Sequence, residues 1–210
     1  MKFKVLAIAG SAAFLLAACG GTATDSGSAG TSASASATPS ASIKSLTGVG
    51  TTVTVDPGTA MVLQQNGVSV APVAPATADA SGGMVKVTFP ITGGNVDIYP
   101  QNDTPFIRGT VTHTGGLTFS GGGKSLTVTN FIVDPGASTL TATAGGSQVM
   151  LLELDGSKVM VGKDSAGHVT LDGTVAKLSQ AAADALNQTF GVTLFKRGIP
   201  LGTVHIVAAG

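Results

Sequence analysis

From about residue 43 to the C-terminus, apolar residues alternate with threonine, serine or lysine in short runs that glycine repeatedly interrupts. A side-chain period of two gives each run one dry and one wet face, which predicts half-buried antiparallel β-strands. The runs are 51–55, 67–70, 84–89, 95–99, 107–113, 116–120, 125–133, 138–144, 149–154, 158–162, 168–171, 192–195 and 203–207. Turn signals at Gly115-Gly116, Gly121-Gly122-Gly123, Pro135-Gly136, Gly145-Gly146 and Asp155-Gly156 recur at the spacing of a sandwich or barrel. Asp155-Gly156 is the best candidate for a tight hairpin. Pro90 is expected to stop the strand that begins at Met84, and 72–83 reads as a loop.

Two segments break the β pattern. Asp56 followed by Pro57 reads as an N-cap and first helical position, opening a short helix through Gln65 that Gly67 closes. Ser179 caps a second helix, Gln180 to Phe190, in which Ala182, Ala185, Leu186 and Phe190 fall near one face while Asp184 and Asn187 point out. Gly191 stands where a left-handed residue ends a helix. Both helices return through Gly-Val into an expected strand. A duplicated half-domain would produce that echo, but so would the ordinary grammar of caps and turns, which is the plainer explanation. The fold class expected is therefore mainly β, an antiparallel β-sandwich or barrel with two short peripheral helices.

The N-terminus has a different pattern. Lys2 and Lys4 precede an apolar run from Val5 to Ala18, which is a secretory signal and too short to span a bilayer in the ordinary way. Leu16-Ala17-Ala18-Cys19 resembles the lipobox of bacterial lipoproteins. That resemblance implies cleavage before Cys19, a diacylglyceryl anchor on its thiol, and residence on the outer face of the bacterial cytoplasmic membrane. From Gly20 to about Ser42 the chain is nearly all Gly, Ser, Ala and Thr, a composition that cannot offset its ordering entropy and so reads as a tether. The expected organisation is a signal peptide at 1–18, the lipidated cysteine and linker at 19–42, and a β-rich extracytoplasmic domain at 43–210.

Only 10% of the residues are charged and the net charge is zero, so nucleic acid is not expected as a partner. Cys19 is the only cysteine, which leaves no disulfide to stabilise the domain. The membrane contact is the lipid, and the remaining partners expected are an envelope protein or a small apolar ligand.

Candidate chemistry is sparse. Gly122-Gly123-Lys124-Ser125 looks like the end of a phosphate-binding loop, but Thr118 stands where its first glycine belongs and a strand follows, so a hairpin tip is expected. His113, His168 and His205 are not at metal-ligand spacing, and no serine lies in a Gly-x-Ser-x-Gly motif, so no metal and no enzyme activity is expected. Glu153 and Asp155 share a strand face as a carboxylate dyad would, though beside Gly156 a solvated hairpin end is the plainer reading. Arg108 and His113 frame the densest stretch, with His113 on the apolar side next to a glycine turn, as a hydrogen-bonded structural histidine would be.

Gly109 to Leu117, followed by Leu126 to Val133 and Leu140-Thr141-Ala142, resembles the middle of the Htaa domain of actinobacterial cell-envelope proteins, over about residues 89 to 207. The resemblance implies an Ig-like β-sandwich and, as in some members, haem. By motif His113 corresponds to the family's histidine before the glycines. The family's iron-ligating tyrosine, in a Ser-Phe-x-x-Tyr motif, has no counterpart, since Tyr99 stands in another context and closer to His113. The expectation is a non-catalytic binding or structural module without cofactor, whose ligand-binding candidates are His113, Tyr99 and Arg108. A haem-binding module is the alternative, and a small hydrolase comes after it.

Overall fold

The computed structural model describes residues 37–210. The signal, Cys19 and most of the expected linker lie outside the described residues. Thirteen strands and two helices follow in order. They are β1 (Ala41–Ile43), β2 (Gly48–Val55), α1 (Pro57–Gln65), β3 (Ser69–Val73), β4 (Thr77–Asp79), β5 (Lys86–Ile98), β6 (Ile107–His113) and β7 (Gly116–Gly121). After them come β8 (Lys124–Asp134), β9 (Thr139–Ala144), β10 (Ser147–Asp155), β11 (Met160–Lys163), β12 (Val169–Leu178), α2 (Gln180–Phe190) and β13 (Pro200–Ala209).

Eight strands close into an antiparallel barrel in the order β5, β2, β13, β12, β10, β9, β8, β6 and back to β5. A barrel rather than a sandwich forms because β6 bridges β5 and β8, leaving neither as an open edge. The other strands lie outside the ring: β1 and β4 on β5, β7 on β8, β3 on β7, and β11 on β12. The last two residues of the expected linker, Ala41 and Ser42, are paired in β1.

Alternation carries the apolar face inward. Val111 and His113 of β6 are buried while Thr110 and Thr112 are only half-buried, and Val128 and Val133 of β8 face the same interior. Gly122 and Gly123 (φ 58° and 75°) make the β7–β8 turn, where two positive φ values match the twist of the strands, so the Gly-Lys-Ser stretch is a hairpin tip.

Five expectations are corrected. Pro90 does not end its strand: β5 runs from Lys86 through Ile98, and Pro90 sits where β5 leaves its ladder with β2 and begins the one with β6. The missing N–H therefore falls at a change of partners. Asp155-Gly156 is not a tight hairpin, because β10 pairs with β9 and β12 and β11 pairs with β12 alone. Residues 192–195 are not a strand: the Asn187 side chain accepts from the Phe195 N–H at 2.9 Å and donates to its carbonyl at 2.8 Å, so Asn187 does not simply face out. Within the expected loop 72–83, β4 forms a short pair with β5.

Both helices cover one end of the barrel. Asp56 caps α1, accepting from the Thr59 N–H at 2.8 Å. No residue of α1 is fully buried, and the helix leans on the barrel through Leu63 and through the Thr59 hydroxyl, which donates to the Pro200 carbonyl at 2.6 Å. Helix α2 is docked more firmly. Ala182, Ala183 and Leu186 are buried against Leu178 and Phe195, and Gly191 ends the helix in the left-handed conformation.

Candidate functional site

The barrel is not filled. Its interior opens into a cavity of about 930 Å³ bordered by all eight barrel strands and, beyond the ring, by residues of β3, β4 and β7. Small-molecule sites span roughly 300–1,000 Å³, so this volume is near the upper end. At one end the cavity reaches Leu63 of α1 and Ala185 of α2, and at the other it reaches Thr104, Pro105 and Gly156 in the loops beyond β5 and β10. Between them the wall is built from residues such as Val53, Phe89, Val128, Leu140, Leu152 and Ile206. Phe89 and Phe131 meet edge to face, with ring centres 4.8 Å apart.

The most deeply buried polar element of the wall is a pair of side chains. His113 and Thr51, 5% and 4% exposed, both border the cavity, and His113 Nε2 lies 2.6 Å from Thr51 Oγ1. His113 Nδ1 lies 3.2 Å from the Phe131 carbonyl. Phe131 stands where the β8–β9 register shifts, in a bulge that neither the β6 nor the β9 ladder includes. The histidine therefore reaches a carbonyl at the bulge. Because a carbonyl only accepts, Nδ1 carries the ring proton and Nε2 accepts from the Thr51 hydroxyl. Burial, partly opposed by the hydrogen bond to Phe131, pushes the His113 pKa down to about 4. The imidazole is neutral near pH 7.

Tyr99 and Arg108 lie elsewhere. The β5–β6 ladder pairs Ile91 with His113 and Ile98 with Ile107, so Tyr99 and His113 are at opposite ends of it, about 20 Å apart along the strands. Arg108 projects from the face opposite His113, stacks over the Tyr99 ring at 4.0 Å, and donates from Nε to the Pro105 carbonyl at 2.9 Å. Its Nη2 is 3.9 Å from Asp103 Oδ2. Neither Tyr99 nor Arg108 borders the cavity. The sequence pointed to a histidine on an apolar face but not to Thr51, whose only signal is a hydroxyl at a position where its β2 neighbours on the same face, Val53 and Val55, are aliphatic.

The remaining titratable groups are dispersed. Glu153 accepts from Arg197 at 2.7 Å and Asp155 from Lys177 at 2.8 Å, so each carboxylate has its own cation and they do not share a proton. Lys177 and the turn at Ser157 hold the Asp155 carboxyl well below the usual carboxylate range. His168 pairs with Asp164 at 2.8 Å and His205 with Asp172, both pairs half-buried and away from the cavity. Among the described residues no three His, Cys, Asp or Glu side chains are grouped as a metal site. Among the described residues the cavity does not fit haem iron: both nitrogens of its one histidine are engaged, and no tyrosine or methionine borders it.

No family model matches the chain, and no curated protein matches it by sequence. Among solved structures it is similar to the C-terminal domain of HtaA from Corynebacterium glutamicum, at 15% identity and a TM-score of 0.50, over 78% of this chain and 97% of that one. It is also similar to the haem-binding protein HtaB from the same organism, at 10% identity and a TM-score of 0.44, over 80% of this chain and 96% of that one. The likeness to the HtaA domain is one of fold, in line with the resemblance seen in the sequence around His113.

Proposed function

We propose that this protein is a lipid-anchored, non-catalytic module of the cell envelope that holds a small apolar molecule inside its barrel. The cavity supports the reading. The cavity of about 930 Å³ is bordered mainly by aliphatic side chains, which offer water few hydrogen-bonding partners and an apolar molecule many contacts. An aliphatic ligand makes those contacts. Eight-stranded barrels are wide enough to hold one such molecule.

The test is to recover the protein from membranes and identify what it carries. Native mass spectrometry is expected to show a lipid-sized adduct on the wild type. Ala185→Trp, which places an indole at the helical end of the cavity from a half-buried helix position, is expected to remove it while the protein still melts cooperatively. An adduct retained in full by Ala185→Trp, or none in the wild type, would overturn the proposal. In the same preparation, haemin titration is expected to give no sharp Soret band that depends on His113 or Tyr99. Such a band, abolished by His113→Ala or Tyr99→Ala, would put haem in place of the apolar ligand.

The anchor is tested separately. Among the described residues no helix is long and apolar enough to cross a membrane. If Cys19 carries the lipid, Cys19→Ser should move the protein from the membrane pellet to the soluble or secreted fraction. A variant that still pellets with membranes would defeat that part of the reading.

A further inference from the structure

The buried polar side chains among the described residues are Thr51, His113 and Ser179. Ser179 is accounted for: its hydroxyl donates to the Met150 carbonyl at 2.6 Å and accepts from the Ala182 N–H at 3.1 Å. Thr51 and His113 border the cavity instead. The Phe131 carbonyl fixes the imidazole with its proton on Nδ1, which makes Nε2 an acceptor and commits the single proton of the Thr51 hydroxyl to it. Thr51 Oγ1 then retains lone pairs and has no other partner, in a wall otherwise made here by Val53, Phe89 and Ile206. What the cavity offers at this point is an uncharged acceptor that cannot donate.

We propose that the Thr51–His113 pair makes the barrel selective for an elongated apolar molecule that bears a hydroxyl group along its length, the hydroxyl donating to Thr51 Oγ1. The inference rests on the reading that the cavity holds an apolar ligand, and specifies its polar group. Elongation follows from the shape, since the cavity runs from Leu63 and Ala185 at one end to Pro105 and Gly156 at the other, with Thr51 between them on β2. A ketone, ester or carboxylate placed at the same depth sets lone pairs against lone pairs. An ammonium needs a counter-charge, and the carboxylate that borders the cavity, Asp155, is already held by Lys177.

The experiment displaces the neutral dye 1-aminoanthracene from the delipidated protein with three competitors of equal length: a long-chain secondary alcohol, its methyl ether and the matching ketone. The alcohol is expected to compete at concentrations at least about tenfold lower than the ether or the ketone, the discrimination expected for one well-made buried hydrogen bond. In Thr51→Val/His113→Phe the three are expected to converge to within roughly twofold. A single His113→Phe change releases the Thr51 proton, so there the ketone should gain on the alcohol. If all three displace the dye but the ether or ketone matches the alcohol in the wild type, the inference falls and the apolar cavity stands. An unchanged ranking in His113→Phe also defeats it. If none of the three displaces the dye, the cavity reading itself falls and takes the inference with it.

Discussion

Replacing Leu186 with alanine is expected to lower the unfolding free energy by about 2–5 kcal/mol, whereas Gln188→Ala on the same helix should change it by no more than about 0.5 kcal/mol. Leu186 is 6% exposed and packs in a cluster with Leu178, Ala182, Ala183 and Phe195, while Gln188 is exposed. The helix cannot retreat from the gap such a deletion leaves. At its start Ser179 is tied to β10 twice, through its hydroxyl on the Met150 carbonyl and its N–H on the Leu151 carbonyl at 2.9 Å. Near its end Asn187 clamps both backbone groups of Phe195. A site that cannot collapse carries the cavity cost on top of the lost transfer energy. Urea melts of the two variants are the measurement, and equal small losses would show that α2 is not docked as described.

Some of this architecture is legible in the sequence because the local signal and the tertiary outcome agree. Residues 107–113 alternate without interruption, and β6 has those bounds. Ser179 and Gly191 supply both caps of α2, and the helix runs between them. The period fails where the strands carry bulges. In β8, Leu126 and Val128 border the cavity, then Asn130 takes a positive φ of 55° and the inward positions become Phe131 and Val133. In β10 a register shift between Met150 and Leu152 moves the inward set from Val149 and Leu151 to Leu152 and Leu154. A strict period of two cannot anticipate a one-residue slip.

The cavity was less legible still. Alternation tells which face of a strand is dry, but not how far one dry face lies from the one across the barrel, and that distance depends on strand number and tilt. Thr51 and His113 are 62 residues apart, on strands separated by β5, and nothing local marks them as a pair. Glycines and threonines dominate the sequence around His113 and do not themselves mark an apolar slot. Thr110 and Thr112 lie on the outer face and Gly115 and Gly116 at the turn, while the slot is lined by aliphatic residues drawn singly from distant strands, such as Leu140, Leu152 and Ile206. Arg108 and His113 are not brought together for the simpler reason that odd and even positions of β6 face opposite ways.

The buried histidine sets the second large effect, a loss of stability on mild acidification. Its pKa is about 4 in the folded protein and 6.5 for an unperturbed histidine, because burial disfavours the charged ring. Between those values the unfolded chain binds a proton at this position and the folded one does not, so stability rises with pH across the window and is lost as pH falls from about 6.5 toward 4. At pH 4.5 the loss amounts to about 2.5 kcal/mol, a large share of the 5–15 kcal/mol that a domain typically has. The carboxylates with lowered pKa, Asp79, Asp97, Asp155 and Asp164, act in the same direction but below their ordinary value of 3.8, outside this window. His113→Gln removes the titration and keeps an amide that can donate to the Phe131 carbonyl. Urea unfolding at pH 7 and pH 4.5 should show a drop in the wild type that the variant largely lacks, and every other titrating group cancels in the difference between the two proteins. An equal drop in both would mean that His113 does not resist protonation in the folded barrel, and that the neutral acceptor geometry at Thr51 does not hold.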